Sequence, residues 1–255
     1  MPRPYGLGYG SLMAEIVYPP VLVAARAMFR ALDLRIHIDG AQHVPAEGGA
    51  ALASNHVSYL DFIFVGLGAR PAGRLVRFMA KQEVFAHKIS GPLMRGMHHI
   101  PVDRKAGKAA YDHAVTALGN GEVVGVFPEA TISRSFTVKD CKGGAARMAA
   151  QAGVPLIPMA VWGTQRLWTK GRPRALGTRH LPIEILIGEP LRPEPDEDPE
   201  RVTALLRERI QGLLDRAQRD YPDKPSQEPW WLPAHLGGTA PTPEQAAVLD
   251  GGKGH

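Results

Sequence analysis

In the stretch SNHVSYLDF a histidine and an aspartate, His56 and Asp61, stand five positions apart, directly after the small apolar run GAALA. A carboxylate that accepts the proton of one imidazole nitrogen fixes the tautomer and leaves the other nitrogen basic. Such a pair can take a proton from a hydroxyl. On one straight helix, residues five apart are separated by about 500°, which leaves them about 140° apart around the axis. The two side chains therefore meet only if His56 lies in the turn leaving a strand and Asp61 opens the helix that follows. A lone histidine is more often structural than catalytic, so the pair has to be read with its neighbours.

Two further polar clusters close apolar runs. HHIPVDRKAGK places Asp103, Arg104 and Lys105 at the end of one expected strand, and GVFPEATISRS, residues 125–135, offers Glu129, Thr131, Ser133 and Arg134 after another. In open α/β sheets ligands bind at the carboxyl ends of strands, where these groups fall. Arginine can hold a phosphate with two parallel hydrogen bonds, and lysine adds a point charge. Taken singly, the same residues also read as solvated charges and as a Pro-Glu turn leaving the sheet.

The elements that would position these groups alternate along the chain. LRIHI, GGAALAS, RLVRFMAK, HHIPVD, EVVGVFP, VPLIPMAVW and LPIEILIG read as strands. Helical patterns follow Asp61, lie between RLVRFMAK and HHIPVD, and run through AGKAAYDHAVTALGN, KGGAARMAAQAG and about 199–221. Such alternation predicts an α/β fold, a single domain with a mostly parallel or mixed central sheet flanked by helices, over residues 35–221. VVGVF and LIPMAVW carry little polar alternation, which suits strands buried on both faces. Residues 1–34 read as an N-terminal segment of one or two short amphipathic helices, interrupted by Pro19 and Pro20 and carrying Glu15, Arg26 and Arg30. A spanning helix would need about twenty predominantly apolar residues, so an interfacial segment or a helix packed on the core fits better. Residues 222–255 turn to proline, glycine and polar residues and read as an extended tail, with Trp230 and Trp231 docking it onto the body or a membrane interface.

The 255 residues carry 30 Lys+Arg against 25 Asp+Glu, a formal net charge of +5 that favours an acidic partner. Between residues 70 and 95, Arg74, Arg77, Lys81, Lys88 and Arg95 are interleaved with aliphatic residues, a mixture that suits an anionic membrane surface better than nucleic acid. The same charges also fit a solvated helix face. Cys141 is the single cysteine, so no disulfide framework or thiolate zinc site is available and a reducing compartment fits. The opening MPRPYGLGYG lacks the apolar core of a secretory signal. Neither a G-x-S-x-G elbow nor a phosphate-binding G-x-x-x-x-G-K-[ST] loop occurs, so a serine hydrolase and a nucleotide-driven reaction are unsupported. His98 and His99 are neighbours on an expected strand and would point to opposite faces, which argues for core or surface placement rather than metal ligation.

Together, NHVSYLD, the strand-end Arg104 and FPEATIS, followed by VPLIP, resemble the lysophosphatidate acyltransferase family of glycerolipid acyltransferases, in an actinobacterial-type variant, over about residues 39–158. The resemblance implies transfer of a fatty acyl group from acyl-CoA or acyl carrier protein to the hydroxyl of lysophosphatidic acid, with no cofactor. It implies that His56 is the general base, that Asp61 orients it, and that Arg104 holds the acceptor phosphate. Lys105, Glu129, Thr131 and Arg134 would complete the substrate-binding set. Ala130 stands where the family has glycine and Ile132 where it has arginine, with Arg134 two positions on as the expected replacement. That departure keeps other acceptors open: glycerol-3-phosphate, a lysophospholipid or a glycolipid. A non-catalytic lipid-binding role is the reading from a different class. The partners implied are an anionic membrane surface and the thioester donor, at the cytoplasmic face of the cell membrane as a peripheral or monotopic protein. Backbone amides at the start of the helix after His56 are the expected oxyanion donors.

Overall fold

The apolar runs without polar alternation form the middle of a sheet covered on both sides. The structure, a computed structural model, describes residues 9–88, 90–103, 107–223, 225 and 229–251, with backbone alone for 9–15. Among them, seven strands make one mixed sheet: β1 (Arg35–Asp39), β2 (Ala50–Ser54), β3 (Val76–Lys81), β4 (Ile100–Val102), β5 (Val123–Val126), β6 (Leu156–Trp162) and β7 (Pro182–Ile187). Their order is β1-β7-β6-β2-β5-β3-β4, parallel except where β6 meets β7. β2 is central, with Ala50 opposite Val123 of β5 and Ala51 opposite Leu156 of β6.

Alternate residues of these strands feed two cores. Leu52, Val76, Phe78, Ile157 and Ile185 face a layer containing Phe64 and Val65 of α2 (Asp61–Gly68) and Phe29 of α1 (Tyr9–Ala31). Ala51, Ala53, Val124 and Trp162 face the helices α5 (Gly107–Gly119), α6 (Gly144–Ala152) and α7 (Pro199–Arg219). Burial on both faces explains the continuous apolar reading of these strands. Gly125 interrupts VVGVF because a Cβ there would sit 2.4 Å from Phe78 Cε1. The Phe78 ring covers that point of the strand.

Helix α1 runs unbroken through Pro19 and Pro20, against the expectation of an interruption there. Contacts on both sides of the prolines hold it in line. The Tyr18 hydroxyl donates to the Val76 carbonyl at 2.8 Å, and Phe29 stacks on Phe64 with ring centroids 5.1 Å apart. Both prolines lie on the exposed side, where water can serve the carbonyls they leave unpaired. Helices α3 (Gln82–Ala86) and α4 (Ser90–Gly96) link β3 to β4, and α4 packs against α1.

The C-terminal region also departs from expectation: it carries a helix, α8 (Pro243–Gly251). Thr242 and Gln245 cap it reciprocally, each main-chain N–H donating to the other's side-chain oxygen, at 2.9 and 3.3 Å. Trp231 docks this region on the body as anticipated, buried beside Tyr221 with the Arg166 guanidinium 4.7 Å above its ring. His99 is a core residue. Burial, the Arg77 charge and the His98 charge push its pKa down to about 4, and its Nδ1 accepts from the Phe78 amide at 3.0 Å. His98 is exposed, and no cluster of potential metal ligands occurs among the described residues.

Candidate active site

β2 ends at Ser54 and α2 begins at Asp61, so His56 sits in the connecting turn and Asp61 in the first helical turn, the arrangement their spacing requires. His56 Nδ1 lies 3.0 Å from Asp61 Oδ2, which also accepts the amides of Val57 and Ser58 at 2.7 Å each. Asp61 Oδ1 accepts from the Thr164 hydroxyl at 2.6 Å. With every partner a donor, the carboxylate draws the Nδ1 proton and leaves Nε2 as the basic nitrogen. Asp61 is fully buried, whereas the His56 side chain keeps 20% of its surface exposed, enough for the imidazole to meet a substrate. Asn55 anchors the turn to β6: its amide donates to the Val161 carbonyl and its oxygen accepts from the Val161 N–H.

The neighbouring strand delivers the second segment. β5 is hydrogen-bonded to β2, so Phe127, Pro128 and Glu129 emerge beside the dyad. Phe127 stacks on the His56 ring with centroids 4.2 Å apart, and Phe78 stacks on Phe127 at 6.2 Å. Glu129 is buried, and both of its oxygens serve the main chain. Oε1 accepts from the His56 amide at 2.7 Å and Oε2 from the Lys139 amide at 2.9 Å. Burial pushes its pKa up to about 7, against the pull of those two amides. The residue expected to bind substrate is engaged in bracketing the loop 127–142 to the His56 turn. Ser133 completes the bracket by donating its N–H to the His56 carbonyl at 2.7 Å.

Ile132 is buried. Arg134 is near, but its Nε donates to Asp250 Oδ1 at 2.9 Å. Thr131 Oγ1 accepts from Lys170 Nζ at 3.4 Å. Arg104 and Lys105 lie outside the described residues. Of the amides between His56 and the helix, those of Val57 and Ser58 serve Asp61, that of Tyr59 donates to the Trp168 carbonyl, and that of Leu60 to Ser58 Oγ, so none of these four points to an oxyanion. Sequence reading missed Thr164, Lys139, Lys170 and Asp250, which only the fold brings to the site; none carries a local motif. Two concavities of about 660 and 580 Å³ lie against α7, and neither is lined by the dyad. The site is therefore assigned on its chemistry.

An imidazole oriented by a buried carboxylate, at the carboxyl ends of adjacent parallel strands of an α/β fold, has the geometry with which a general base can take a proton from a hydroxyl. A family model described as Acyltransferase matches residues 35–162, the span holding the dyad and the Glu129 segment. The chain is 31% identical over 173 residues to a Bacillus subtilis (strain 168) protein named 1-acyl-sn-glycerol-3-phosphate acyltransferase, covering 66% of this chain and 80% of that one. It is 33% identical over 156 residues to a protein of the same name from Limnanthes douglasii, covering 58% of this chain and 53% of that one. The crystal structure of the 1-acyl-sn-glycerophosphate (LPA) acyltransferase PlsC from Thermotoga maritima shares the fold with a TM-score of 0.65 at 22% identity, covering 84% of this chain and 81% of that one. The chain belongs to this acyltransferase family.

Proposed function

We propose that the protein moves a fatty acyl group from a thioester, acyl-CoA or acyl carrier protein, to the free hydroxyl of lysophosphatidate, giving phosphatidic acid. The observation that carries this reading is the His56 Nδ1 to Asp61 Oδ2 contact of 3.0 Å, with Nε2 left as the base. The names of the relatives supply the substrate class. Nε2 takes the proton as the hydroxyl oxygen bonds to the thioester carbonyl carbon. Collapse of the tetrahedral adduct breaks the carbon–sulfur bond, and the departing thiolate receives the proton from the imidazolium. A thioester is already activated, so alignment and proton removal supply the acceleration and the reaction calls on no cofactor. From the His56 ring a row of aromatic side chains runs through Phe127 and Phe78 to Phe62 and His99, and from His99 to Tyr18 on α1. The partly exposed members of this row, Phe127 and Phe62, are the proposed wall for the acyl chain, and the buried Phe78, His99 and Tyr18 back them.

No helix among the described residues is long and apolar enough to cross a membrane. Ile16, Val23 and Met28 of α1, with Val84 and Leu93 of α3 and α4, are exposed large apolar residues, and Arg26, Arg30, Lys81, Lys88 and Arg95 are exposed among them. That combination supports peripheral contact with an anionic bilayer, at the cytoplasmic face where acyl thioesters occur. The test is thiol release from a long-chain acyl-CoA with lysophosphatidate, wild type beside His56→Ala. Release that needs both the acceptor and His56 is expected, and turnover retained in His56→Ala would overturn the assignment.

A further inference from the structure

Three cations from three separate segments converge on one carboxylate at the edge of the site. Arg134 Nε and Lys170 Nζ lie 2.9 and 2.6 Å from Asp250 Oδ1, and Lys139 Nζ lies 2.9 Å from Oδ2. One negative charge among three positive ones leaves an excess of two in a partly buried setting. A phosphomonoester, with two charges and three acceptor oxygens, matches that excess better than a single carboxylate.

Each segment is tied to the backbone of the His56 turn. Arg134 follows Ser133, whose N–H donates to the His56 carbonyl. Lys139 shares the Glu129 carboxylate with the His56 amide. Lys170 follows Thr169, whose hydroxyl donates to the Val57 carbonyl at 2.6 Å. The loop is also shaped around the guanidinium: Gly171 has φ +81°, and a Cβ there would lie 2.3 Å from Arg134 Nη1.

Asp250 itself is held by little else. It lies in the last turn of α8, where the helix dipole disfavours an anion, so the cations and not the helix account for its position. Of the apolar residues of α8, Ala246 is buried, while Val248 and Leu249 keep 75% and 48% of their surface exposed. Partial burial pushes the Asp250 carboxyl up, and hydrogen bonds from Lys170, Lys139 and Arg134 outweigh it, holding the group well below the usual carboxylate range.

We propose that Arg134, Lys139 and Lys170 form the site for the acceptor's phosphate, and that Asp250 occupies it in the unliganded chain as an internal carboxylate which the phosphate displaces, releasing α8. The inference rests on the acyltransferase reading for the identity of the acceptor. The anion site itself does not depend on turnover.

The experiment uses the full chain with two probes, inorganic phosphate and lysophosphatidate. Phosphate binding is measured by calorimetry, KM for lysophosphatidate by thiol release, and hydrogen exchange over residues 243–251 with and without either probe. Both probes are expected to raise exchange over 243–251. Asp250→Asn is expected to tighten phosphate binding and lower KM, each by about tenfold, because the binding-competent state no longer competes with an internal ligand. Adding Lys170→Gln to Asp250→Asn is expected to reverse both gains. A carboxylate that merely staples α8 would give a lower melting temperature with KM, phosphate affinity and the exchange response unchanged, and that result overturns the proposal. His56-dependent turnover combined with an unresponsive Asp250→Asn would sink the anion site and leave the acyltransferase reading standing. Tighter phosphate binding in Asp250→Asn without turnover of lysophosphatidate would do the reverse.

Discussion

Thr164, which follows β6, donates its hydroxyl to Asp61 Oδ1 at 2.6 Å, so the carboxylate that orients the His56 imidazole is itself oriented from 103 positions away. Replacing Thr164 by valine keeps the shape and removes the donor. A hydrogen bond to a charged group contributes about 1.5–3 kcal/mol, so Thr164→Val is expected to lower the unfolding free energy by an amount in that range. It is also expected to lower kcat more than it raises KM, because Asp61 loses its hold at Oδ1 and is fixed beside His56 through Oδ2 alone. Chemical denaturation and thiol-release kinetics on the same preparation check both.

Asp61→Asn should be worse for the fold than His56→Gln. Asp61 Oδ2 accepts from His56, Val57 and Ser58 and Oδ1 from Thr164, so the neutral amide weakens hydrogen bonds to a buried charged acceptor on both oxygens. His56 is partly exposed, so its replacement leaves the core untouched. Both variants are expected to lose transfer by about 10²–10⁴-fold. Circular dichroism melts separate them: a lowered midpoint is expected for Asp61→Asn alone.

Glu129 makes stability depend on pH. Its folded pKa of about 7 lies above the ordinary glutamate value of 4.5, so its contribution is full below 4.5 and is lost as pH rises through about 7. The loss is on the order of 3 kcal/mol over that window. Glu129→Gln removes this dependence but turns an NH2 group toward the amide of His56 or Lys139, costing about 1–3 kcal/mol. Unfolding free energies of the two proteins, measured from pH 5 to 8, are expected to converge as pH rises; a constant difference would contradict the assignment.

Ala130 is exposed with φ +59°, in the left-handed region that favours glycine. Ala130→Gly is expected to stabilise the protein by about 1 kcal/mol without altering kcat, since the methyl group meets a backbone conformation it disfavours by about 1–2 kcal/mol. The denaturation midpoint checks this.

Local pattern revealed the strands, the helices between them and the turn that brings His56 to Asp61, because these depend on neighbours in the chain: a strand ending at Ser54 and a helix opening at Asp61. Helix α8 went unread, because the capping signal of Thr242 and Gln245 around Pro243 is submerged in a proline- and glycine-rich composition. The continuity of α1 was not announced locally, since a proline pair predicts a break unless something beyond the helix holds both halves, as Val76 and Phe64 do here.

By itself, then, the sequence determined the α/β alternation, the pairing of His56 with Asp61, and the strand-end position of the Glu129 segment, all of which follow from residue type and spacing. Only the tertiary structure decided that Glu129 brackets the His56 turn, that Thr164 holds Asp61, and that Arg134 meets Lys139, Lys170 and Asp250. The physical reason is common to all three. A buried carboxylate or a cation cluster is defined by the partners that satisfy it, and those partners reach it through sheet order and loop packing, which no spacing along one chain encodes.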